Sequence, residues 1–171
     1  MMKKSRVLPP TFGGIDKGNV IWHRLDDIDF DDLGFLLSCH LIIEHYMDQF
    51  LMTGSDSKFA WDSAKLSFSQ KMSLISSLPF PEPYDFMPAV KHLNSVRNQF
   101  SHKLNKRMTE KDMLPIKHFL EKYVNYNKES WVVPDDPKDM LDLFTTITCS
   151  FFAGSITARV KYKAGDSIYE K

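Results

Sequence analysis

Apolar residues recur every three to four positions along most of the chain, which is the spacing of helices with one buried face. No segment alternates at period two for long enough to predict a sheet. The first 28 residues contain Pro9-Pro10 and Gly13-Gly14 and show no sustained period, so they predict an irregular arm. The pattern predicts five helices, over roughly residues 31–52, 62–78, 84–105, 109–126 and 137–161.

Local signals support several of these boundaries. Asp29 or Asp31 can cap the first helix, and Thr109-Glu110-Lys111-Asp112 resembles a capping box for the fourth. Asp136 followed by Pro137 is typical of an N-cap and a first helical residue. Short connections favour antiparallel neighbours, so we predict an all-α, antiparallel four- to five-helix bundle with an irregular N-terminal arm. The predicted parts are an arm (1–28), a bundle core (29–128), and a linker with a C-terminal helix that packs on the bundle (129–171).

Composition and charge indicate a globular domain and limit the kinds of partner that the chain can attract. The chain has 171 residues, of which 43% are hydrophobic and 26% charged, as in a globular domain. Its net charge is zero, so any attraction to nucleic acid must come from a local patch. Cys39 and Cys149 lie in apolar contexts and are expected to be buried free thiols. No signal peptide or membrane span is predicted, so we expect a cytoplasmic protein without membrane contact.

The segment most suggestive of chemistry is Arg97-Asn98 followed by His102, an R-N-x-x-x-H pattern inside the third predicted helix. Arginine offers a planar fork of donors that fits a phosphate, and histidine can move a proton near neutral pH. These side chains are a minimal set for cutting RNA without a metal or other cofactor. Arg97 and His102 are five residues apart, however, which places them about 140° apart around the helix axis. Either the helix unwinds just before His102, or a second copy of the chain completes the site across a two-fold axis.

A second clue lies in the first helix, where His40 and Glu44 interrupt the apolar stripe. A carboxylate in that position needs a partner, and Arg97 is the candidate. The pair would either fix the register of the bundle or orient Arg97 toward a substrate. The order His40, Glu44, His45 matches no zinc-binding motif, so no metal is predicted.

Basic residues follow the motif. Lys103, Lys106 and Arg107 come after His102 and predict a modest RNA-binding patch. The structural alternative is a solvated helix end whose cations complement the helix dipole.

Val96-Arg97-Asn98-Gln99-Phe100-Ser101-His102, near the end of a bundle helix, resembles the R-x4-6-H motif of the HEPN superfamily. The layout over roughly residues 31–126 is similar to the MltR-like branch, including a segment like Leu66–Leu74 in the preceding helix. Antitoxin-paired HEPN toxins often have the motif H-x-Y at this histidine, whereas here His102 is followed by Lys103 and Leu104. The resemblance implies a HEPN-like bundle.

The resemblance also implies a function: a dimeric, metal-independent endoribonuclease that acts as a toxin or antiphage-defence effector. Arg97, Asn98 and His102 would be its catalytic residues, with Glu44 and His40 in support. RNA, a second copy of the chain, and an inhibitory antitoxin or effector-complex protein would be its partners. The alternative is a non-catalytic MltR-like regulator or adaptor that acts through protein contacts. A helical module that binds a partner through the exposed face of its first helix is a third possibility.

Overall fold

A computed structural model describes residues 11–23, 30–54, 64–78, 80–102 and 106–164. Helices dominate this part of the chain, which confirms the prediction of a mostly helical protein. A small two-stranded sheet precedes the helices. The elements in chain order are β1 (Thr11–Asp16), β2 (Asn19–His23), α1 (Phe30–Gly54), α2 (Phe68–Ser76), α3 (Met87–His102), α4 (Glu110–Asn127) and α5 (Pro137–Ala164).

The prediction of an irregular N-terminal arm is wrong for residues 11–23, which form an antiparallel hairpin. Its turn places Lys17 at φ 46° and Gly18 at φ 84°. Positive φ at both central positions is the conformation that matches the twist of a two-residue hairpin loop. The strands escaped detection because they have only six and five residues, and the Gly13-Gly14 pair falls at an irregularity in the register.

Side-chain caps define where several helices begin. The Thr109 hydroxyl accepts from the Asp112 amide, and the Asp112 carboxylate accepts from the Thr109 amide, which confirms the predicted capping box of α4. The Asp136 carboxylate accepts from two amides in the first turn of α5, as predicted. The second helix begins later than predicted, at Phe68, because Ser67 and Gln70 form a further capping box there. The predicted cap Asp29 lies outside the described residues, and Asp31 is already inside α1.

The hydrophobic core lies where α1 packs against α2, α3 and α5, with α4 packed on α3 and α5. Cys39 and Cys149 are buried free thiols, as predicted. Phe86 is fully buried, and its ring contacts Phe80, Phe151 and Phe152. These contacts hold the segment that leads into α3 against α5. Other fully buried side chains are Leu36, Ile43, Met47, Leu93, Phe100, Met113, Ile116, Leu120 and Phe144.

The C-terminal helix, α5, is long and apolar. By length and composition alone, α5 would be long and apolar enough to cross a membrane. Its apolar face packs on α1, and seven of its side chains, including Phe144 and Phe152, are buried.

Candidate functional site

Arg97 and Asn98 lie side by side on α3. The Arg97 Nη1 atom donates a hydrogen bond to the Asn98 Oδ1 atom at 3.1 Å. Asn98 is exposed and Arg97 is half-buried. The Arg97 Nε atom is buried, and within the described part of the chain no acceptor meets it. A guanidinium carries five N–H donors, so this side chain retains Nη donors for an anion at the surface.

His40 of α1 approaches the same turns of α3 from the core side. Its side chain is 3% exposed, and its ring stacks on Phe68 with a centroid distance of 4.1 Å. The His40 Nε2 atom lies 3.1 Å from the Asn94 Oδ1 atom. An amide oxygen only accepts, so this contact places the imidazole proton on Nε2. His40 thereby holds Asn94, which lies one turn before Asn98.

The surroundings of His40 favour its neutral form. Burial lowers the pKa of His40, and the positive charge of Arg97 lowers it further. The hydrogen bond to Asn94 and the negative charge of Glu44 oppose these effects, but the pKa remains below its ordinary value of 6.5. His40 is therefore a neutral hydrogen-bond donor at physiological pH.

This shift predicts a pH dependence of stability. The unfolded chain protonates His40 below about pH 6.5, whereas the folded state resists that proton. The free energy of unfolding should therefore fall as the pH drops below 6.5, by at most about 1.4 kcal/mol per pH unit for this one group. Urea unfolding at several pH values should show a shallower loss for His40→Gln than for the wild type. His118→Gln, which removes an exposed histidine, is the control. Equal slopes for His40→Gln and the wild type would contradict the assignment.

Glu44 does not pair with Arg97, so the predicted partner is wrong. The Lys71 Nζ atom of α2 lies 2.8 Å from a carboxylate oxygen of Glu44 and 2.8 Å from one of Asp48. The reason is positional: Lys71 extends from α2 across the turn of α1 that carries both carboxylates. Glu44 is thus not placed to orient Arg97, and the charge of Arg97 remains available.

The sequence analysis did not assign a role to Lys71, because the positions around it form the apolar stripe of the second helix. It lies on the buried face of α2, between Phe68, Met72 and Ile75, and only 8% of the residue is exposed. A lysine at a helical core position needs an anionic partner, just as a core carboxylate needs a cation. That signal, read together with Glu44, would have predicted the observed pair.

The three basic residues predicted to bind RNA have different surroundings. The Lys106 Nζ atom donates to an oxygen of Asp112 at 2.6 Å and to the Gln99 Oε1 atom at 2.9 Å, and it lies over the Phe100 ring. Its charge is therefore compensated within the chain. Arg107 is exposed, and Lys103 lies outside the described residues.

The backbone at His102 decides between the two predicted ways of completing the site, namely unwinding of the helix or a second copy of the chain. The backbone of α3 is helical through residue 102, so the helix does not unwind before His102. Five helical steps separate the backbone positions of Arg97 and His102, about 140° around the axis. The side chain of His102 lies outside the described residues, and completion of the site by a second copy stays a prediction.

The described residues thus bring Arg97, Asn98, Asn94 and His40 into one cluster, while Glu44, whose charge acts on His40, pairs with Lys71 and not with Arg97. They contain no group of three His, Cys, Asp or Glu side chains placed to hold a metal. Comparison of the chain with protein-family models, curated proteins and solved structures found no match.

Proposed function

We propose that this protein is a HEPN-type, metal-independent endoribonuclease that cleaves RNA by attack of a 2′-hydroxyl on the adjacent phosphate. One observation carries the proposal. The side chain of Arg97 is half-buried, its Nη1 atom bonds to Asn98, and it retains unused Nη donors on a helix whose last residue is His102. A fork of donors from one copy of the chain and an imidazole from a second copy are suited to a phosphate that undergoes transesterification.

In the proposed reaction, the 2′-oxygen bonds to phosphorus and the bond from phosphorus to the 5′-oxygen breaks. His102 accepts the proton of the 2′-hydroxyl or donates one to the leaving 5′-oxygen. Arg97 stabilises the negative charge that develops on the phosphoryl oxygens, and Asn98 holds the guanidinium in place. The products are a 2′,3′-cyclic phosphate and a 5′-hydroxyl. DNA has no 2′-hydroxyl and is not a substrate.

The proposed active form is a homodimer. Positions 97 and 102 of one α3 are too far apart around the helix to grip one phosphate. A two-fold axis beside this helix would bring His102 of one copy toward Arg97 of the other. By resemblance, such an enzyme would act in the cytoplasm as a toxin or antiphage-defence effector, restrained by an antitoxin or another effector-complex protein.

The test is cleavage of end-labelled RNA in the presence of a metal chelator. We expect the wild-type protein to release fragments with 2′,3′-cyclic phosphate ends. We expect His102→Ala to be slower by about a hundredfold or more, because general acid–base catalysis contributes that much. His118→Ala, which removes an exposed histidine of α4, is the matched control. Intact RNA with the wild type, or equal cleavage by His102→Ala, contradicts the proposal.

A second candidate function is a non-catalytic regulator or adaptor. It is favoured by the contacts around the motif: Lys71 ties α1 to α2, and the His40–Asn94 bond ties α1 to α3. Under this proposal the polar residues stabilise the helix positions and no substrate is bound. Expression in cells separates the two, because growth arrest that requires His102 supports only the enzyme.

A further inference from the structure

A groove runs between α2 and α3 and reaches the candidate site. Its near half, next to the motif, has a volume of about 470 Å³ and is lined by Asn98, Asn94 and Ser95 of α3 and by Ser69 of α2. Its far half has a volume of about 660 Å³ and extends to Phe80. Met72 and Lys91 line both halves, so the two depressions are adjacent.

The groove follows one side of α3. Lys91, Ser95 and Asn98 are spaced by four and three residues and therefore share a face. Backbone position 102 comes eleven residues after Lys91, which is about three turns and about 16 Å along the axis. The row that begins at Lys91 thus leads to the end of the helix where the motif lies.

The chemistry of the groove suits a polyanion with flat bases. Lys91 is exposed, and among the described residues it has no ion pair. Besides Met72 and Lys91, the described residues that line the near half carry hydroxyl and amide groups, and none of them carries a carboxylate. The acidic residue of the far half, Asp85, accepts a hydrogen bond from the Met87 amide at the start of α3. Phe80, which is partly exposed, adds an aromatic surface of the kind on which bases stack.

The chemistry of the groove favours a single strand. The bases of an RNA duplex are paired and stacked on one another, whereas the bases of a single strand can stack on a protein ring and meet amide and hydroxyl groups.

We propose that the α2–α3 groove binds the single-stranded RNA that flanks the cleaved phosphate, and that Lys91 contacts one of its phosphates. This inference rests on the proposed endoribonuclease function and adds a substrate-binding site that extends away from Arg97 and Asn98. Ser95 and Asn94 lie between Lys91 and the motif and donate hydrogen bonds to the same strand.

The test measures binding of a 2′-O-methyl RNA oligonucleotide, which cannot be cleaved, over a range of salt concentrations. A phosphate contact with a single strand contributes about 0.7 to the slope of log affinity against log salt. Lys91→Ala should lose about that much slope and bind about five- to tenfold more weakly. Lys161→Ala, which removes an exposed lysine from α5, should keep the wild-type slope. With cleavable RNA, Lys91→Ala should raise KM.

The outcomes separate this inference from the function on which it rests. An unchanged slope and an unchanged KM in Lys91→Ala, with cleavage intact, overturn the groove and leave the nuclease in place. Binding that depends on Lys91 without cleavage by the wild type supports the groove and overturns the nuclease. Equal losses in Lys91→Ala and Lys161→Ala also overturn the groove, because they show a general effect of charge.

Discussion

Arg97→Ala is expected to lower the single-turnover rate of RNA cleavage by about a thousandfold while the protein stays folded. The guanidinium would lose its contact with the charge that develops on the phosphoryl oxygens. The cost to the fold should be small, because the hydrogen bond to Asn98 is at the surface and the Arg97 Nε atom has no acceptor among the described residues. Cleavage rates and thermal unfolding should be measured on the same samples.

Arg97→Lys is the matched control for charge. Lysine keeps the positive charge but loses the planar fork, so we expect a rate between those of the wild type and the alanine variant. If Arg97→Ala cleaves at the wild-type rate, Arg97 is not catalytic. If instead the rate falls only in proportion to a loss of folded protein, Arg97 stabilises the fold, as the regulator hypothesis proposes.

Lys71→Met is expected to lower the free energy of unfolding by about 2–3 kcal/mol. It would leave the carboxylates of Glu44 and Asp48 without their shared cation. The side chains of Lys71, Glu44 and Asp48 are 10%, 24% and 43% exposed, so the loss should be smaller than for a fully buried pair. Urea unfolding followed by circular dichroism measures this difference.

A second substitution tests whether unpaired charge is the cause. Glu44→Gln combined with Lys71→Met removes one stranded carboxylate, so the double variant should recover part of the lost stability. Lys122→Met, which breaks the exposed pair with Glu82, should leave stability within error. Additive losses in the double variant would show that Lys71 and Glu44 do not stabilise the fold through their pairing.

The contacts of Lys71 with Glu44 and Asp48 also predict how the free energy of unfolding changes at alkaline pH. Burial disfavours the charged form of Lys71, but its hydrogen bonds to Asp48 and Glu44 outweigh burial and raise its pKa above 10.5. The stabilisation is therefore complete below about pH 10.5 and is lost as the pH rises through the higher pKa of the folded state. Lys71→Met should lack this alkaline loss.

Much of the fold could be predicted because its signals are local. The helical period and the caps at Thr109 and Asp136 depend on residues close in sequence, and all are observed. The hairpin was missed because its strands are short, and the start of α2 was misplaced because the Ser67–Gln70 capping box was not recognised. The assembly of two copies remains a prediction.

The sequence by itself determined that the chain forms helices, that Arg97 and Asn98 lie together near the end of one of them, and that Glu44 requires a partner. Only the tertiary structure showed that this partner is Lys71, that His40 holds Asn94, and that an open groove lies between α2 and α3 beside the motif. The physical reason is that helical periodicity fixes which residues share a face. Which faces meet depends on how side chains from distant segments pack and satisfy each other's charges.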